Sequence, residues 1–394
     1  MKRIVICLAV VCLSVGCLHA RGLRAAFVGD PQVDNETELE YARKSIYREL
    51  RGRKDLDLVI VLGDLVNDNP DLISPSVAIL DSLPCPWFAV PGNHDFDVYP
   101  DKNRRRDLVT WRQVVGYEDT TFVLGKVRFA LANNVVYHGR GGYEGRFNDS
   151  QMKWLDSLSR VTPKDVQMVL ATHIPVSYGR QRDSLASMFA GHREVLWVCG
   201  HTHTVVRHTV DADGRVEEMI AGATCGSWWR GVKDEYGIPY SLQNCGAPRG
   251  YFVTDFSRKG CRHEYSPVGV ADECSAYVRT AEEGAECLFV NVFGGHKDGS
   301  VRVVAPGLGR VSLTRTSDVA CEVRDVISYN NSISRADRKK RKSEFIPLRR
   351  MKSPHLWMVE LPAGVRLKEV KILYEDQYMS FKRRVRVNNV PFLN

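Results

Sequence analysis

Five short segments of the sequence place Asp, Asn, Gln or His directly after an apolar run. They are Asp30-Pro31-Gln32, Gly63-Asp64, Gly92-Asn93-His94-Asp95, Thr172-His173 and Gly200-His201-Thr202-His203. Each segment alone is ordinary turn chemistry, but together they offer carboxylate, amide and imidazole groups and no thiolate. This mixture of oxygen and nitrogen donors suits Mn, Fe, Zn or Co better than Ca. The sequence therefore predicts a metal site assembled from separate parts of the chain.

The apolar runs before these segments predict the strands of an α/β sheet, with helical patterns between the first three. The expected strands are 24–29, 58–62, 87–90, 167–171 and 195–199, and the expected helices are 36–50 and 73–83. In such sheets ligands bind beyond the carboxyl ends of the strands, so the five segments would meet at one edge. An extended segment after the last strand would point His201 and His203 in the same direction.

Beyond residue 222 the helical periodicity nearly disappears. Short β runs recur from residue 251 onward, one of them at 320–325, and they predict a small antiparallel β-sandwich. A chain of 394 residues is also long for one core, because single cores stop growing near about 250–300 residues. We therefore expect a metal-bearing α/β domain over 24–222, followed over 223–394 by a connecting segment and a β-rich domain.

The N-terminus has the layout of a secretory signal over residues 1–20. Lys2 and Arg3 precede a short apolar run, and small residues follow. Cleavage after Ala20 would release a soluble protein, whereas lipidation of Cys17 would leave a membrane-anchored lipoprotein; an uncleaved anchor is a third alternative. We expect an exported protein that is periplasmic, secreted or held at the membrane through Cys17.

Export also bears on the cysteines and on the charge. Eight of the 11 cysteines lie outside the signal, and an even number in an oxidising compartment permits disulfides. The formal net charge of +8 is concentrated in basic runs at 102–106, 335–342 and 382–386. Such runs are solvated loops or attract anionic substrates. No interleaving of aromatic and basic residues indicates a nucleic-acid-binding module.

The order of the five segments resembles that of the calcineurin-like metallophosphoesterase superfamily. The family pattern is Asp-x-His, Gly-Asp, Gly-Asn-His-Asp/Glu, a later His and Gly-His-x-His, and the match spans about residues 24–221. The resemblance implies a layered fold of central β-sheets flanked by helices, and a phosphoric ester hydrolase with two divalent metal ions.

The resemblance also implies a role for each residue of the site. One metal ion would be held by Asp30, Gln32, Asp64 and His203. Asp64 would bridge to the second metal ion, which would be held with Asn93, His173 and His201. His94 would act beside the metals as a catalytic residue, and Asp95 would orient His94 or a metal ligand.

Two positions depart from the family's branches. Gln32 stands where the first motif ordinarily ends in His, and an amide oxygen is a neutral, harder and weaker donor than imidazole. Asn67 stands where the purple acid phosphatases place a Tyr, which argues against a purple ferric site.

A second, less specific resemblance covers the C-terminal part. Residues 225–229 (CGSWW), 237–239 (GIP), 246–251 (GAPRGY) and 355–357 (HLW) are similar to the C-terminal domain found on some exported bacterial calcineurin-like phosphoesterases. Trp228 and Trp229 would line the pocket or the seam between the domains.

The expected activity is metal-assisted attack of water, in line, on a phosphate ester. The motifs do not separate diesters from monoesters, but the basic runs favour a diester or nucleotide-like substrate. Arg140, Tyr143 and Arg146 lie in a Gly-rich loop that could contact this substrate. The alternative is an exported surface binding module with a degenerate metal site, against which the intact Asn93 and His94 argue. Nothing in the sequence indicates the oligomeric state.

Overall fold

A computed structural model describes residues 22–99, 105–138, 141–281 and 284–388. The predicted signal, with Cys17 and Ala20, lies outside the described residues, as does Arg140. Within these ranges, no helix has the length and apolarity needed to cross a membrane.

The strands alternate with helices in the first half of the chain and dominate the second half. In chain order the strands are β1 (Leu23–Val28), β2 (Leu58–Val61), β3 (Trp87–Ala89), β4 (Asp97–Val98), β5 (Arg106–Asp107), β6 (Thr120–Leu124), β7 (Val127–Leu131), β8 (Val135–His138), β9 (Gly142–Gly145), β10 (Gln167–Ala171), β11 (Val195–Cys199), β12 (Val205–Thr209), β13 (Val216–Ala221), β14 (Gly250–Ser257), β15 (Gly260–Pro267), β16 (Cys274–Thr280), β17 (Glu286–Val292), β18 (Ser300–Ala305), β19 (Gly309–Arg315), β20 (Leu356–Glu360), β21 (Glu369–Glu375) and β22 (Ser380–Arg386). The α-helices are α1 (Glu36–Lys44), α2 (Ile46–Gly52), α3 (Ile73–Leu80), α4 (Val109–Val114), α5 (Asp149–Val161), α6 (Arg182–Phe189), α7 (Cys321–Ser332) and α8 (Arg335–Lys340).

Two sheets stack face to face in the first part of the chain. The first has the order β15-β14-β1-β2-β3, with β1, β2 and β3 parallel. The second has the order β12-β13-β11-β10-β7-β6, with β7, β10, β11 and β13 parallel. The predicted α/β class with central sheets is confirmed.

Side chains that alternate along each strand build three cores. Ala25 and Phe27 of β1 face the second sheet and pack in the core between the two sheets. Ala26 and Val28 point the other way, onto α1, α2 and α3. The outer face of the second sheet packs on α5 and α6. The resulting layers run helix, sheet, sheet, helix, and strands buried on both faces explain the continuous apolar runs of the sequence.

The predicted helix over 36–50 is two helices. Asn35 caps α1 by accepting a hydrogen bond from the Glu38 amide, as expected for an N-cap. The break comes at Ser45, whose hydroxyl donates to the Tyr41 carbonyl oxygen and whose backbone leaves the helical region. Ile46, Tyr47 and Leu50 of α2 are thereby turned into the core.

The C-terminal antiparallel β domain is confirmed, but its architecture differs from a sandwich of two sheets. One seven-stranded sheet has the order β16-β17-β20-β19-β18-β21-β22 and curls until Ala276 of β16 meets Val387 beyond β22. The expected strand at 320–325 was wrong, because this segment begins α7. Val323 and Val326, three residues apart, pack on Leu242 there.

The first sheet extends past the predicted domain boundary at residue 222. β14 pairs antiparallel with β1, and β15 pairs with β14, so two strands from the C-terminal half complete the sheet that carries Asp30 and Asp64. The limits of independently folding domains stay a prediction. The thiols of Cys225, Cys245, Cys261, Cys274 and Cys321 are free, so the disulfides that the sequence permits do not form between them.

A buried ion network joins the second sheet to the β domain. Arg207 of β12 has a fully buried side chain and pairs with Glu217 of β13 at 2.7 Å. It also pairs with Asp376, beyond β21, at 3.0 Å. His263 of β15 lies 3.1 Å from the second oxygen of Glu217. The network therefore ties three strands of the α/β part to the β domain.

Asp376 makes this junction sensitive to acid. Burial raises the pKa of Asp376, but Arg207 and the Tyr374 hydroxyl outweigh burial and hold the pKa at about 2. Because this pKa is below the unfolded value, the carboxylate contributes stability above about pH 4 that is lost as the pH falls through about 2. We expect the wild type to lose about 2 kcal/mol more unfolding free energy than Asp376→Asn between about pH 5 and pH 2.

Urea unfolding followed by circular dichroism at both pH values measures this difference. Asp213→Asn, in the exposed turn between β12 and β13, is the control and should behave as the wild type. Equal acid losses in the wild type and in Asp376→Asn would contradict the assignment.

Candidate metal centre

The predicted site residues lie just beyond the ends of five strands drawn from both sheets. Asp30 follows β1, Asp64 follows β2, Asn93 follows β3, His173 follows β10 and His201 follows β11. The carboxyl ends of parallel strands in the two stacked sheets lie at the same edge, so these side chains converge there.

The backbone at this edge is strained. Seven non-glycine residues have positive φ in the described part of the chain, and five of them are predicted metal ligands: Asp30 (44°), Gln32 (45°), Asp64 (50°), His201 (72°) and His203 (51°). Non-glycine residues in this region cost about 1–3 kcal/mol each and persist where the surrounding structure enforces them. The expectation that residues 200–203 are extended was therefore wrong; both imidazoles reach the site through left-handed turns.

The centre of the site is formed by Asp64, His173 and His201. One donor atom from each lies within 4.8 Å of the others. His173 Nδ1 lies 2.8 Å from the Leu62 carbonyl oxygen, and because a carbonyl can only accept, Nδ1 must donate. The other nitrogen, Nε2, then faces His201 Nδ1 at 3.1 Å, Asn93 Oδ1 at 3.0 Å and Asp64 Oδ1 at 3.4 Å.

A second group of donors adjoins this centre. Asp30 is fully buried, accepts the His201 amide at 2.9 Å, and lies 4.0 Å from His203 Nε2. His203 Nδ1 donates to the Gly226 carbonyl oxygen at 2.6 Å, which leaves Nε2 as the donor atom toward the site. Gln32 is 2% exposed, and its amide is held between Asn67 and the Cys225 thiol.

The electrostatics of the cluster fit a bound cation. Asp30 and Asp64 are buried, and within the described ranges no Lys or Arg lies within 4.0 Å of either carboxylate. Burial lowers the pKa of His173, but Asp64 outweighs burial and raises it to about 9, which reflects the negative charge around this ring. Burial and the neighbouring His173 lower the pKa of His201 to about 3, which keeps its lone pairs available. A bound metal ion stabilises imidazole lone pairs that face one another and buried carboxylates that have no Lys or Arg partner.

His94 lies at the open side of the cluster, with a side chain that is 28% exposed. Its amide donates to Asp64 Oδ1 at 2.8 Å, while its Nδ1 lies 3.2 Å from Asp68 Oδ1. Arg106 holds the same Asp68 oxygen at 2.9 Å. Burial lowers the pKa of His94, but Asp68 and Asp64 outweigh burial and raise it.

Asp68, which the sequence did not single out, lies against the His94 ring, whereas Asp95 was predicted to orient either His94 or a metal ligand. The Asp95 carboxylate reaches the backbone amides of Gly92 at 2.7 Å and Val66 at 3.0 Å instead of the His94 ring. It thus fixes the turn that carries Asn93, and Asp68 orients His94. The signal that could have indicated Asp68 is its position four residues after Asp64, although a lone Asp in a turn is common.

Aromatic rings border the cluster on two sides. The Tyr143 ring lies 5.8 Å from the His201 ring, and the Trp228 ring lies 5.8 Å from the His203 ring. Tyr137 donates its hydroxyl hydrogen to the Asn93 carbonyl oxygen at 2.5 Å. The Arg146 guanidinium is paired with Glu144 at 2.9 Å, and Trp229 is buried with its indole N–H on the Pro31 carbonyl oxygen.

Gly200 tests how tightly the site is built. An added Cβ there would stand 2.2 Å from Asp30 Oδ2, so Gly200→Ala must displace that carboxylate. We expect metal affinity and turnover to fall by about 10–100-fold, as for other changes that reorient metal ligands. Metal content after dialysis measures the loss of affinity, and the rate of ester hydrolysis measures the loss of turnover.

Gly52→Ala is the matched control, because nothing lies within 4 Å of the position of its Cβ. Full metal affinity in Gly200→Ala would show that Asp30 is not a ligand.

Comparison with known proteins gives the family. Residues 16–205 match the family model described as calcineurin-like phosphoesterase, and residues 218–380 match the model for the C terminal of calcineurin-like phosphoesterase. A 3',5'-cyclic-nucleotide phosphodiesterase of Nostoc sp. is 29% identical over 126 residues, which are 32% of this chain and 44% of the relative. The alignment thus spans less than half of that relative's length.

The solved structures to which the chain is similar are more distant in sequence. A dimetal phosphatase from Danio rerio is 15% identical, with 63% of this chain and 96% of that chain covered and a TM-score of 0.45. A 5'-nucleotidase from Candida albicans is 12% identical, with 62% and 51% covered and a TM-score of 0.37. With the two family models covering most of the sequence, the chain belongs to the calcineurin-like phosphoesterases and carries the C-terminal domain of that family.

Proposed function

We propose that this protein is a phosphoesterase that depends on two divalent metal ions. The observation that carries the proposal is the convergence of Asp64, His173 and His201 beside the buried Asp30. Neither carboxylate has a Lys or Arg partner among the described residues. Asp30, Gln32, Asp64 and His203 would hold one ion. Asp64, Asn93, His173 and His201 would hold the other. The donor set suits Mn, Fe, Zn or Co.

Such ions stabilise charge on phosphoryl oxygens and lower the pKa of water for in-line attack. The chain itself supplies the proton. His94 is partly exposed, its pKa is raised, and it faces the open side of the cluster, so it can donate to the leaving oxygen. Asp68, held by Arg106, keeps the His94 ring in place for this transfer.

Two features support a phosphodiester or nucleotide-like substrate. The Tyr143 and Trp228 rings lie beside the cluster, and aromatic rings are groups on which a nucleotide base stacks. The Nostoc relative is named a 3',5'-cyclic-nucleotide phosphodiesterase. The support for this substrate class thus comes from the rim of the site and from the relative's name, rather than from the metal ligands.

Metal add-back to chelator-stripped protein tests the proposal. Mn²⁺, Fe²⁺, Zn²⁺, Co²⁺ and Mg²⁺ are supplied singly, with bis-p-nitrophenyl phosphate and p-nitrophenyl phosphate as substrates. We expect no turnover without metal and restored turnover with at least one transition metal, faster on the diester. No turnover with any metal, together with no metal in the purified protein, would contradict the proposal and favour a binding module.

We propose separately that the protein is exported. The proposal rests on residues 1–20, whose basic start, apolar run and small-residue end fit a signal. Mass spectrometry of the mature protein distinguishes cleavage after Ala20 from lipidation of Cys17. An intact N-terminus in a cytoplasmic fraction would contradict export.

A further inference from the structure

The short segment 224–229, which follows β13, contacts three of the predicted metal ligands. The three are Asp30, Gln32 and His203, and all of them would hold the same metal ion. Ligands of the other ion have contacts earlier in the chain: Tyr137 donates to the Asn93 carbonyl oxygen, His173 donates to the Leu62 carbonyl oxygen, and the His201 amide donates to Asp30. The 224–229 segment therefore adjoins one predicted ion site in particular.

Thr224 and Cys225 hold the backbone at the first ligand. The Gly29 carbonyl oxygen accepts hydrogen bonds from the amide and from the hydroxyl of Thr224, at 2.8 and 2.9 Å. The next carbonyl oxygen, of Asp30, accepts from the Cys225 amide at 3.2 Å. Thr224 is 1% exposed, so water does not compete for these bonds. They fix the chain at the point where Asp30 turns into the site.

Trp229 holds the carbonyl that comes next. Its indole N–H donates to the Pro31 carbonyl oxygen at 2.8 Å, between the ligands Asp30 and Gln32. The Trp229 side chain is almost fully buried, and the Arg249 guanidinium lies 5.2 Å from the centre of its ring. A buried indole N–H needs an acceptor, so this bond fixes both the ring and the backbone of Pro31.

The ligands on this side of the site need such support. Asp30 and Gln32 have φ angles of 44° and 45°, a left-handed conformation that persists in residues other than glycine only where the surroundings enforce it. The bonds to the carbonyl oxygens of residues 29–31 are contacts that can enforce it. The segment also orients the third ligand, because His203 Nδ1 donates to the Gly226 carbonyl oxygen at 2.6 Å.

We infer that the 224–229 segment, through Trp229 and Thr224, positions the ligands of the ion held by Asp30, Gln32 and His203 and sets the affinity of that ion separately from the other. Trp229 is thus a positioning residue. The inference rests on the two-metal function proposed above. It gives a part of the chain beyond the predicted domain boundary at residue 222 a role in the metal centre.

Trp229→Phe tests the inference, because it keeps an aromatic ring but removes the N–H donor. Mn²⁺ is titrated into the chelator-stripped, full-length protein by isothermal calorimetry. We expect the wild type to bind two ions, and Trp229→Phe to bind one ion as the wild type does and the other about 10–100-fold more weakly. In crystals soaked in Mn²⁺, the weakened anomalous peak should be the one at Asp30, Gln32 and His203.

Two further variants separate positioning from general destabilisation. Trp111→Phe is the matched control, because the Trp111 indole is fully buried and its N–H also donates to a backbone carbonyl oxygen, that of Tyr117, at 2.8 Å. It should bind both ions as the wild type does. Thr224→Val removes only the hydroxyl donor to Gly29 and should weaken the same ion as Trp229→Phe, by about 2–10-fold.

The outcomes distinguish this inference from the proposed function. Binding of fewer than two ions by the wild type would contradict the proposed function and this inference together. Two ions in the wild type with undiminished binding in Trp229→Phe, or in Thr224→Val if Trp229→Phe does not fold, would overturn this inference alone. Equal weakening of both ions, or the same loss in Trp111→Phe, would also overturn it.

Discussion

Asp64→Asn should lower turnover by about 10³-fold or more and release metal from the protein. Asp64 is 1% exposed and lies in the middle of the donor cluster, where its carboxylate faces His173 and would be shared by both metal ions. The substitution keeps the shape of the side chain but removes its charge. The loss is measured as kcat with saturating metal and as metal content after dialysis.

His94→Ala separates proton transfer from metal binding. It should lower turnover by about 10²–10⁴-fold while metal content stays normal, because the His94 side chain faces the open side and is not a predicted ligand. Asp165→Asn, whose side chain is 68% exposed, should change neither quantity. Turnover that survives in Asp64→Asn, or metal loss in His94→Ala, would contradict the assigned roles.

Arg207→Met should destabilise the protein by about 3–5 kcal/mol. Met fills the buried volume of Arg207 but leaves the carboxylates of Glu217 and Asp376 without their cation. Removing one partner of a buried ion network lowers the free energy of unfolding by much more than the network contributes on balance. The reason is that the remaining charges stay buried without a counter-charge. The free energy of urea unfolding measures the effect.

Two further variants distinguish charge burial from lost packing. Adding Glu217→Gln and Asp376→Asn to Arg207→Met should recover part of the stability, since the unpaired charges are gone. Arg160→Met, which breaks an exposed ion pair with Asp156, should cost less than about 0.5 kcal/mol. A cost for Arg207→Met as small as that of Arg160→Met would contradict the importance of the network.

The strand ends were the most predictable part of the fold. Apolar runs such as 58–62 and 195–199 are long enough to require burial on both faces, and the polar residue after each run marks its end. This local pattern was enough to predict that Asp64, His173 and His201 lie at one edge of the sheets. The roles of these residues as ligands stay predictions.

Features that depend on distant partners could not be predicted. β14 joins β1 across more than 200 residues of sequence, and no local pattern records such pairing. The segment 320–325 has strand-like composition, but tertiary packing of Val323 and Val326 makes it helical. The positive φ of Asp30 and His201 is likewise imposed by the surrounding site and goes against the local preference of these residues.

Anomalous diffraction from crystals soaked in Mn²⁺ locates the metal ions themselves. We expect two anomalous peaks, one against Asp64, Asn93, His173 and His201 and the other against Asp30, Gln32, Asp64 and His203. Both peaks should disappear in Asp64→Asn. No peak at the cluster, or peaks only elsewhere on the molecule, would contradict a two-metal phosphoesterase.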